Sequence, residues 1–431
     1  MADFSKHDLV EPSAMRQCPS CLTHWKTCLH DQAAYYGCIQ CQKLINLRKN
    51  RAENLKFKEV AGEPVLKLGQ KGMFDNVEYE VVGIAQWKEQ GDSFLWFEYS
   101  LFHVKEGYKT LAHADGHWNL FVKVLDYPRN TDPHREPKLL KHKEMEFQLF
   151  HKYNSEIAWA SGEFIHDISE TPRPWYTEWI CPPYILTKEV STHSYSWYEG
   201  TYYTTKSIEQ AFKLEKSLPK ANNIGSTQPL LIPFKLYETY SLTIAFAFLL
   251  FITQLFITPF DPKPIIEDSF TDEYNENASA FKPFISQPFE ITPSIFTTTS
   301  LEVEFKANVD NSWAEAQITL INDDTDEEYE LELGVEYYHG YDGGPWSEGS
   351  ITAHKLISEI SPGKYHMVII HYAETKMAPV TMYIKATQDV SLWSNFWYSV
   401  LGLLLFPLGV YFYTQHFEKK RWMNSNYNPY D

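Results

Sequence analysis

The alternation of hydrophobic and polar positions changes character several times along the chain. From Pro64 the runs "VEYEVVGIAQW" and "FLWFEYSLFHV" alternate with period two and are broken by Gly-containing turns, a strand-and-hairpin pattern. Two blocks, 64–126 and 160–212, each end in an aromatic-rich strand signal and predict two similar β subdomains within a β-barrel or β-sheet region over 57–215. From Thr239 to Phe260 the pattern is apolar throughout, 22 residues without an acidic or basic side chain. At about 1.5 Å rise per residue such a helix crosses a hydrocarbon core of roughly 30 Å. A second run, 390–415, places Trp393, Trp397, Tyr411 and Tyr413 near its ends, where amphipathic rings suit the headgroup level, and Pro407 predicts a kink.

Between the two runs alternation returns. "SLEVEFKANV", "AEAQITLIND", "EEYELELGVEYY" and "GKYHMVIIHY", divided by turn-forming stretches, predict an antiparallel, jelly-roll-like β-sandwich over 261–389. The fold class is therefore a mainly β, multi-domain membrane protein, with two helices flanking the sandwich and a tail over 416–431.

Charge sharpens this division. Residues 260–390 hold 24 Asp and Glu against 7 Lys and Arg, which accounts for −17 of the chain's formal −18. Such a balance argues against nucleic acid as a partner and makes a cationic ligand the natural counterpart of the sandwich. Lys235 precedes the first span and Lys419, Lys420 and Arg421 follow the second, whereas Asp261, Glu267 and Asp268 lie just beyond the first. By the positive-inside rule both termini are expected in the cytoplasm of a bacterium and the sandwich in the periplasm, with the spans in the inner membrane. The opening residues show no basic segment leading into an apolar run, so no cleaved signal peptide is expected.

Five of the six cysteines fall within 24 residues. Cys18 with Cys21 and Cys38 with Cys41 form two C-x2-C pairs separated by sixteen residues, a spacing that suits a four-thiolate zinc ribbon over 16–45. Each pair turns tightly enough to aim two sulfurs at one tetrahedral centre, and a closed four-sulfur site makes the zinc structural. His24, Cys28 and His30 lie between the pairs; with four positions already filled, Cys28 reads as a spare thiol. The basic stretch that follows, with Lys43, Arg48, Lys49, Arg51, Lys56 and Lys58, reads as a solvated linker.

Leu68-Gly69, Val77 to Gly83, Trp96 to Tyr99 and Asp115-Gly116-His117-Trp118, followed by "GEFIHDI", "CPPYILTKE" and "WYEGTYYTTKSIEQAF", resemble the bacterial family called domain of unknown function 4178. The resemblance covers roughly 57–215. It implies a small β-rich cytoplasmic module of membrane proteins without an established catalytic role.

Other chemistry is sparse. His113 and His117 flank an Asp-Gly turn, which favours packing or hydrogen bonding over a metal site. Glu80, Glu98 and Glu178 sit in strand-like runs whose alternation places them on a solvent face. Asp342, Trp346 and Glu348, in the loop "YYHGYDGGPWSEGS", suit a hairpin better than a cation or sugar site, and Asn277-Ala278-Ser279 is a glycosylation sequon without meaning in a bacterium. No common catalytic signature occurs. The sequence thus points to a non-catalytic scaffold or sensor with a protein partner at the membrane. The alternatives are an accessory subunit of a membrane enzyme or transport system, and a hydrolase with a site in the cytoplasmic β region. A deep pocket with converging titratable groups would mark the hydrolase.

Overall fold

The structure, a computed structural model, describes residues 15–430 apart from 30–31, 58–59, 127–135, 171, 192–193, 233, 258–261, 263, 272–273, 276–279, 294–298, 375–378 and 391–392. The sequon at 277–279 and His30 lie outside the described residues. The chain divides into two compact units, one formed by residues up to Phe234 together with Gly409–Asp431, the other by Lys235–Leu408.

The first unit begins with short strands β1 (Met15–Gln17), β2 (His24–Lys26), β3 (Tyr35–Gly37), β4 (Lys43–Asn46) and β5 (Arg51–Lys56). The basic stretch expected to be a linker is the β4–β5 hairpin, with Leu44 and Ile45 fully buried. Its charges alternate with apolar residues whose burial outweighs the pull of the charges toward solvent. Ten further strands follow: β6 (Lys71–Phe74), β7 (Val77–Glu89), β8 (Leu95–His103), β9 (Gly107–Ala114), β10 (His117–Val124), β11 (Leu139–His142), β12 (Met145–Phe164), β13 (Trp175–Cys181), β14 (Tyr184–Val190) and β15 (Tyr195–Tyr203).

Strands β7 to β10 form one antiparallel meander and β12 to β15 another. Their first strands pair, β7 with β12, and so do their last, β10 with β15, which closes an eight-stranded antiparallel barrel. At one seam three strands meet in register, Gly37 on β3 opposite Gly162 on β12 and Gly162 opposite Gly83 on β7. A Cβ on Gly162 would lie 2.4 Å from the Val82 carbonyl oxygen, and one on Gly37 would lie 2.6 Å from that of Ala160, so side chains are excluded there. The ribbon is thereby joined to the barrel wall by a continuous sheet.

Outside the barrel, β6 and helix α1 (Thr205–Phe212) cover the outward faces of Tyr79, Tyr99, Leu101 and Trp118. The sequence reading did not anticipate α1, which starts where Thr204 Oγ1 accepts from Ser207 N–H and stops at Lys213 in the left-handed region. Ile208 and Phe212 bury its apolar face. Each such fully buried side chain contributes about 1.5–3 kcal/mol relative to exposure.

In the second unit, helix α2 (Leu236–Ile257) precedes twelve strands among the described residues, β16 (Pro264–Thr271) to β27 (Thr381–Gln388). A four-stranded sheet containing β16, β27, β21 (Thr299–Ala307) and β25 (Thr352–Ile360) faces a second sheet built on β22 (Ser312–Asn322), β23 (Glu328–Tyr341), β24 (Pro345–Ser350) and β26 (Gly363–Ala373). Leu301, Val303, Phe305, Ile318, Leu320, Met367, Ile369 and Ile384 fill the space between them. Asp342 lies in the turn of the β23–β24 hairpin, with Trp346 and Glu348 on β24.

Helix α3 (Trp393–Trp422) follows and contains Pro407. Both α2 and α3 are long and apolar enough to cross a membrane, and Phe251 of α2 packs on Trp393 and Phe396 of α3. The second helix runs seven residues past the expected end at Gln415, so Lys419, Lys420 and Arg421 form its last turn, where cations meet the negative end of the helix dipole.

Candidate functional site

Two constellations stand out, one in the ribbon and one inside the barrel. The two C-x2-C turns are built alike. Leu22 N–H donates to Cys18 O and Gln42 N–H to Cys38 O, both at 2.9 Å, and Leu22 and Gln42 both take positive φ. This repeated turn presents Cys18, Cys21, Cys38 and Cys41 with their sulfurs all within 4.8 Å of one another. Cys18 Sγ lies 3.8 Å from Cys41 Sγ, and Cys21 Sγ lies 3.6 Å from Cys38 Sγ. Four sulfurs bonded tetrahedrally to one zinc at about 2.3 Å stand about 3.8 Å apart, so the cluster fits such an ion. Burial pushes the Cys38 thiol up to about 12 and raises Cys18, so thiolates at these depths call for a compensating cation.

Cys28 stands apart from the cluster, its Sγ 3.5 Å from Glu80 Oε1. Burial and the Glu80 charge push its thiol up to about 12. Between the cysteine pairs the chain is pinned to the barrel by Glu163, which accepts from Trp25 Nε1 at 3.1 Å and from the backbone N–H of Cys28 and Leu29 at 2.9 Å each.

The barrel encloses a cavity of about 1190 Å³. Register defines its inward face. Glu98 on β8 stands opposite Ala112 on β9, Glu178 on β13 opposite Thr187 on β14, and Glu189 on β14 opposite Tyr176 on β13. Glu98 and Glu178, expected on a solvent face, therefore point inward. Alternation is the same for an open sheet and a closed barrel, but here the outward positions bear the apolar packing and the polar ones face the enclosed space. Glu80 lies outside this set, facing Cys28.

The inward carboxylates are held by neutral aromatic donors. Tyr153 donates to Glu178 Oε1 at 3.0 Å, Tyr176 to Glu189 Oε1 at 3.1 Å, Tyr198 to Glu189 Oε2 at 3.0 Å, and the Trp96 indole to Glu98 Oε1 at 3.0 Å. Burial raises all three phenols, so each remains a donor at neutral pH. Burial also raises Glu178, and it lifts Glu98 to about 7, with Glu189 and Glu178 adding to the lift. Thr187 is 6% exposed, and its Oγ1 has no hydrogen-bond partner. Sequence reasoning missed Tyr153, Tyr176, Glu189 and Tyr198; only Tyr176 shares a strand and a face with Glu178, and the others are brought to it by the pairing of separate strands.

One mouth of the barrel is closed by the end of α3. Trp422 packs on Phe150, ring centroids 5.2 Å apart, and joins Ile180 and Ile185 in a buried cluster. Arg421, counted above as a juxtamembrane charge, is 3% exposed and donates to the Ser226 carbonyl at 2.8 Å and to Glu418. Ser425 Oγ donates to the Phe150 carbonyl. The Asn426 side chain grips Lys152 like a strand partner, donating to its carbonyl at 2.7 Å and accepting from its N–H at 3.1 Å. Met423 to Asn426 line the cavity.

The histidines of the Asp-Gly turn pack and hydrogen-bond. His117 contacts Tyr202 Oη through Nδ1 and the Asn222 carbonyl through Nε2, while His113 stacks on Trp118 at 4.0 Å. Burial holds His113 down at about 4. Among the described residues the cysteine cluster is the sole group of three or more such ligands placed to hold a metal.

Strands β7 to β10 and β12 to β15 thus form one barrel with a continuous inward face. Residues 67–205 match the model of the family described as Domain of unknown function (DUF4178). The DUF4178 match coincides with the barrel and includes neither the ribbon nor the long helices. No curated protein matches the chain. Among solved structures, the functional form of the mosquito-larvicidal Cry4Aa toxin from Bacillus thuringiensis is similar at 9% identity and a TM-score of 0.15. The match covers 75% of this chain and 54% of the toxin, and at that score it carries no argument about fold or function.

Proposed function

We propose that the protein is a two-span sensor of the bacterial inner membrane, in which the barrel receives a small ligand and passes its occupancy to α3. One observation carries this reading: Trp422, at the end of α3, is seated on Phe150, Ile180 and Ile185 at the mouth of the ligand-sized cavity. A change of occupant meets the end of the helix directly. The same contact supports the expected topology, because the segments before α2 and after α3 then lie on one side of the membrane. With the positive-inside pattern, that side is the cytoplasm and the acidic sandwich is periplasmic. The cysteine cluster holds zinc and stiffens a ribbon that presents a docking surface to a protein partner.

The test needs no ligand. Ala112 faces the cavity, and Ala112→Phe places an artificial occupant inside it. In the full-length protein in nanodiscs, hydrogen exchange over 423–427 is expected to change at least fivefold relative to wild type. Unchanged exchange, with the introduced ring shown to be buried, would remove the coupling. A reporter fused after Asp431 is expected to be active in the cytoplasm, and activity confined to the periplasm would overturn the topology.

A second reading, a hydrolase, draws on the same cavity, since a deep pocket with titratable groups is present and Glu98 lies near 7. Against it, the three carboxylates are each tied to a phenol or an indole instead of a nucleophile. Turnover of an ester, phosphoester or glycoside by wild type but not by Glu98→Gln would establish it.

A further inference from the structure

We infer that the barrel cavity binds an organic cation carrying ammonium groups, held between the carboxylates of Glu98, Glu178 and Glu189 and the aromatic rings beside them. The inference rests on the sensor reading for its consequence, though not for its chemistry.

The inward face supplies three carboxylates, and the hydrogen bonds they accept come from neutral phenols and an indole. Neutral donors fix the orientation of a carboxylate without supplying a counter-charge; the basic groups that feel Glu178 and Glu189 are His151, which pairs with Glu89, and His166, whose burial disfavours its protonation. Carboxylate charges inside a protein are costly until a cation meets them. The unpartnered Thr187 hydroxyl lies on the same inward face, between Glu178 on one neighbouring strand and Tyr198 on the other. It is a buried polar group awaiting a hydrogen-bonding partner.

A metal ion is the wrong occupant. Glu98 is on β8, and Glu178 and Glu189 are two residues out of register on β13 and β14, so their oxygens do not converge on one point; among the described residues the metal-binding geometry belongs to the four cysteines. An ion a few ångströms across cannot reach separated carboxylates in a cavity of about 1190 Å³. An extended organic cation can. The walls also suit its carbon skeleton, since Tyr153 lies 5.4 Å from Tyr176 and 5.7 Å from Trp96, ring to ring. Aromatic faces attract ammonium groups and cover methylenes at once.

The experiment compares three probes of one length and different charge, 1,6-diaminohexane, 1,6-hexanediol and adipate, titrated calorimetrically into the full-length protein in detergent. The diamine is expected to bind, with the diol and the dianion at least tenfold weaker. Glu178→Gln and Glu189→Gln are each expected to weaken the diamine at least tenfold while the melting temperature shows that they fold; Glu302→Gln, in the other unit, is expected to leave binding unchanged. Absence of diamine binding, equal binding of the diol, or diamine binding unaffected by both cavity variants overturns the inference. Binding without any change in hydrogen exchange over 423–427 upholds the ligand class and overturns the sensor reading, so the two fail separately.

Discussion

The indole of Trp25 donates to Glu163 Oε1 at 3.1 Å, across 138 residues of sequence, and through this bond the loop between the two cysteine pairs is fastened to the barrel wall. Glu163 is 3% exposed and accepts two backbone N–H groups through its other oxygen. Charge-assisted hydrogen bonds of this kind contribute about 1.5–3 kcal/mol each. Glu163→Ala is therefore expected to release the ribbon while the barrel stays folded. Hydrogen exchange resolves the two, and unchanged protection at Cys28 and Leu29 would count against the fastening role.

Metal analysis of the purified protein is expected to return one zinc per chain, falling to zero in the Cys18→Ser, Cys38→Ser double variant. Chelation is expected to unfold residues 15–46 and spare the barrel, because the ribbon's own buried cluster is small. Less than one metal per chain in wild type would remove the zinc proposal.

Trp422→Ala removes the ring that fills the barrel mouth. Truncation of a buried Trp costs about 3–5 kcal/mol. The melting temperature of the unit that holds the barrel is expected to drop, and dye access to the cavity to rise. A variant as stable as wild type would show that the mouth closes without it.

Stability is expected to depend on pH through Glu98. Its folded-state value near 7 exceeds the ordinary value of 4.5, so between the two the folded protein binds the extra proton. The stability this confers is complete below about pH 4.5 and is lost as pH rises toward and through 7, by at most about 3 kcal/mol. Glu98→Gln is expected to flatten that slope in denaturant titrations at pH 4.5, 6 and 7.5. An organic cation favours the ionised form, so its binding near neutral pH is expected to release protons, and affinity to rise with pH.

The sequence made some features legible because their causes are local. The paired C-x2-C turns, the Asp-Gly turn between His113 and His117, and two long apolar helices each follow from neighbouring residues. The choice between a closed barrel and an open sheet stayed undecided, because closure depends on β7 meeting β12 and β10 meeting β15, pairings between distant segments that leave no mark on alternation. Without closure, Glu98 and Glu178 look like solvent-facing polar positions. Trp422 was hidden for a different reason: an aromatic residue just after Lys419, Lys420 and Arg421 reads as an interfacial anchor at the end of a span. The β4–β5 hairpin was obscured by its Lys and Arg, although Leu44 and Ile45 already carried the packing signal.

The seating of Trp422 and Asn426 also orders the making of the protein. Translation delivers the barrel strands early and these two residues only after all of Lys235–Leu408 has been synthesised. Until then one mouth of the barrel has no cover, with Phe150, Ile180 and Ile185 bare. A chain that stops before Trp422 leaves this apolar floor exposed, and quality-control proteases and chaperones recognise such surfaces. The segment from Trp422 to Asn426 thus acts as a seal on assembly, set only when the whole of the intervening chain has been made.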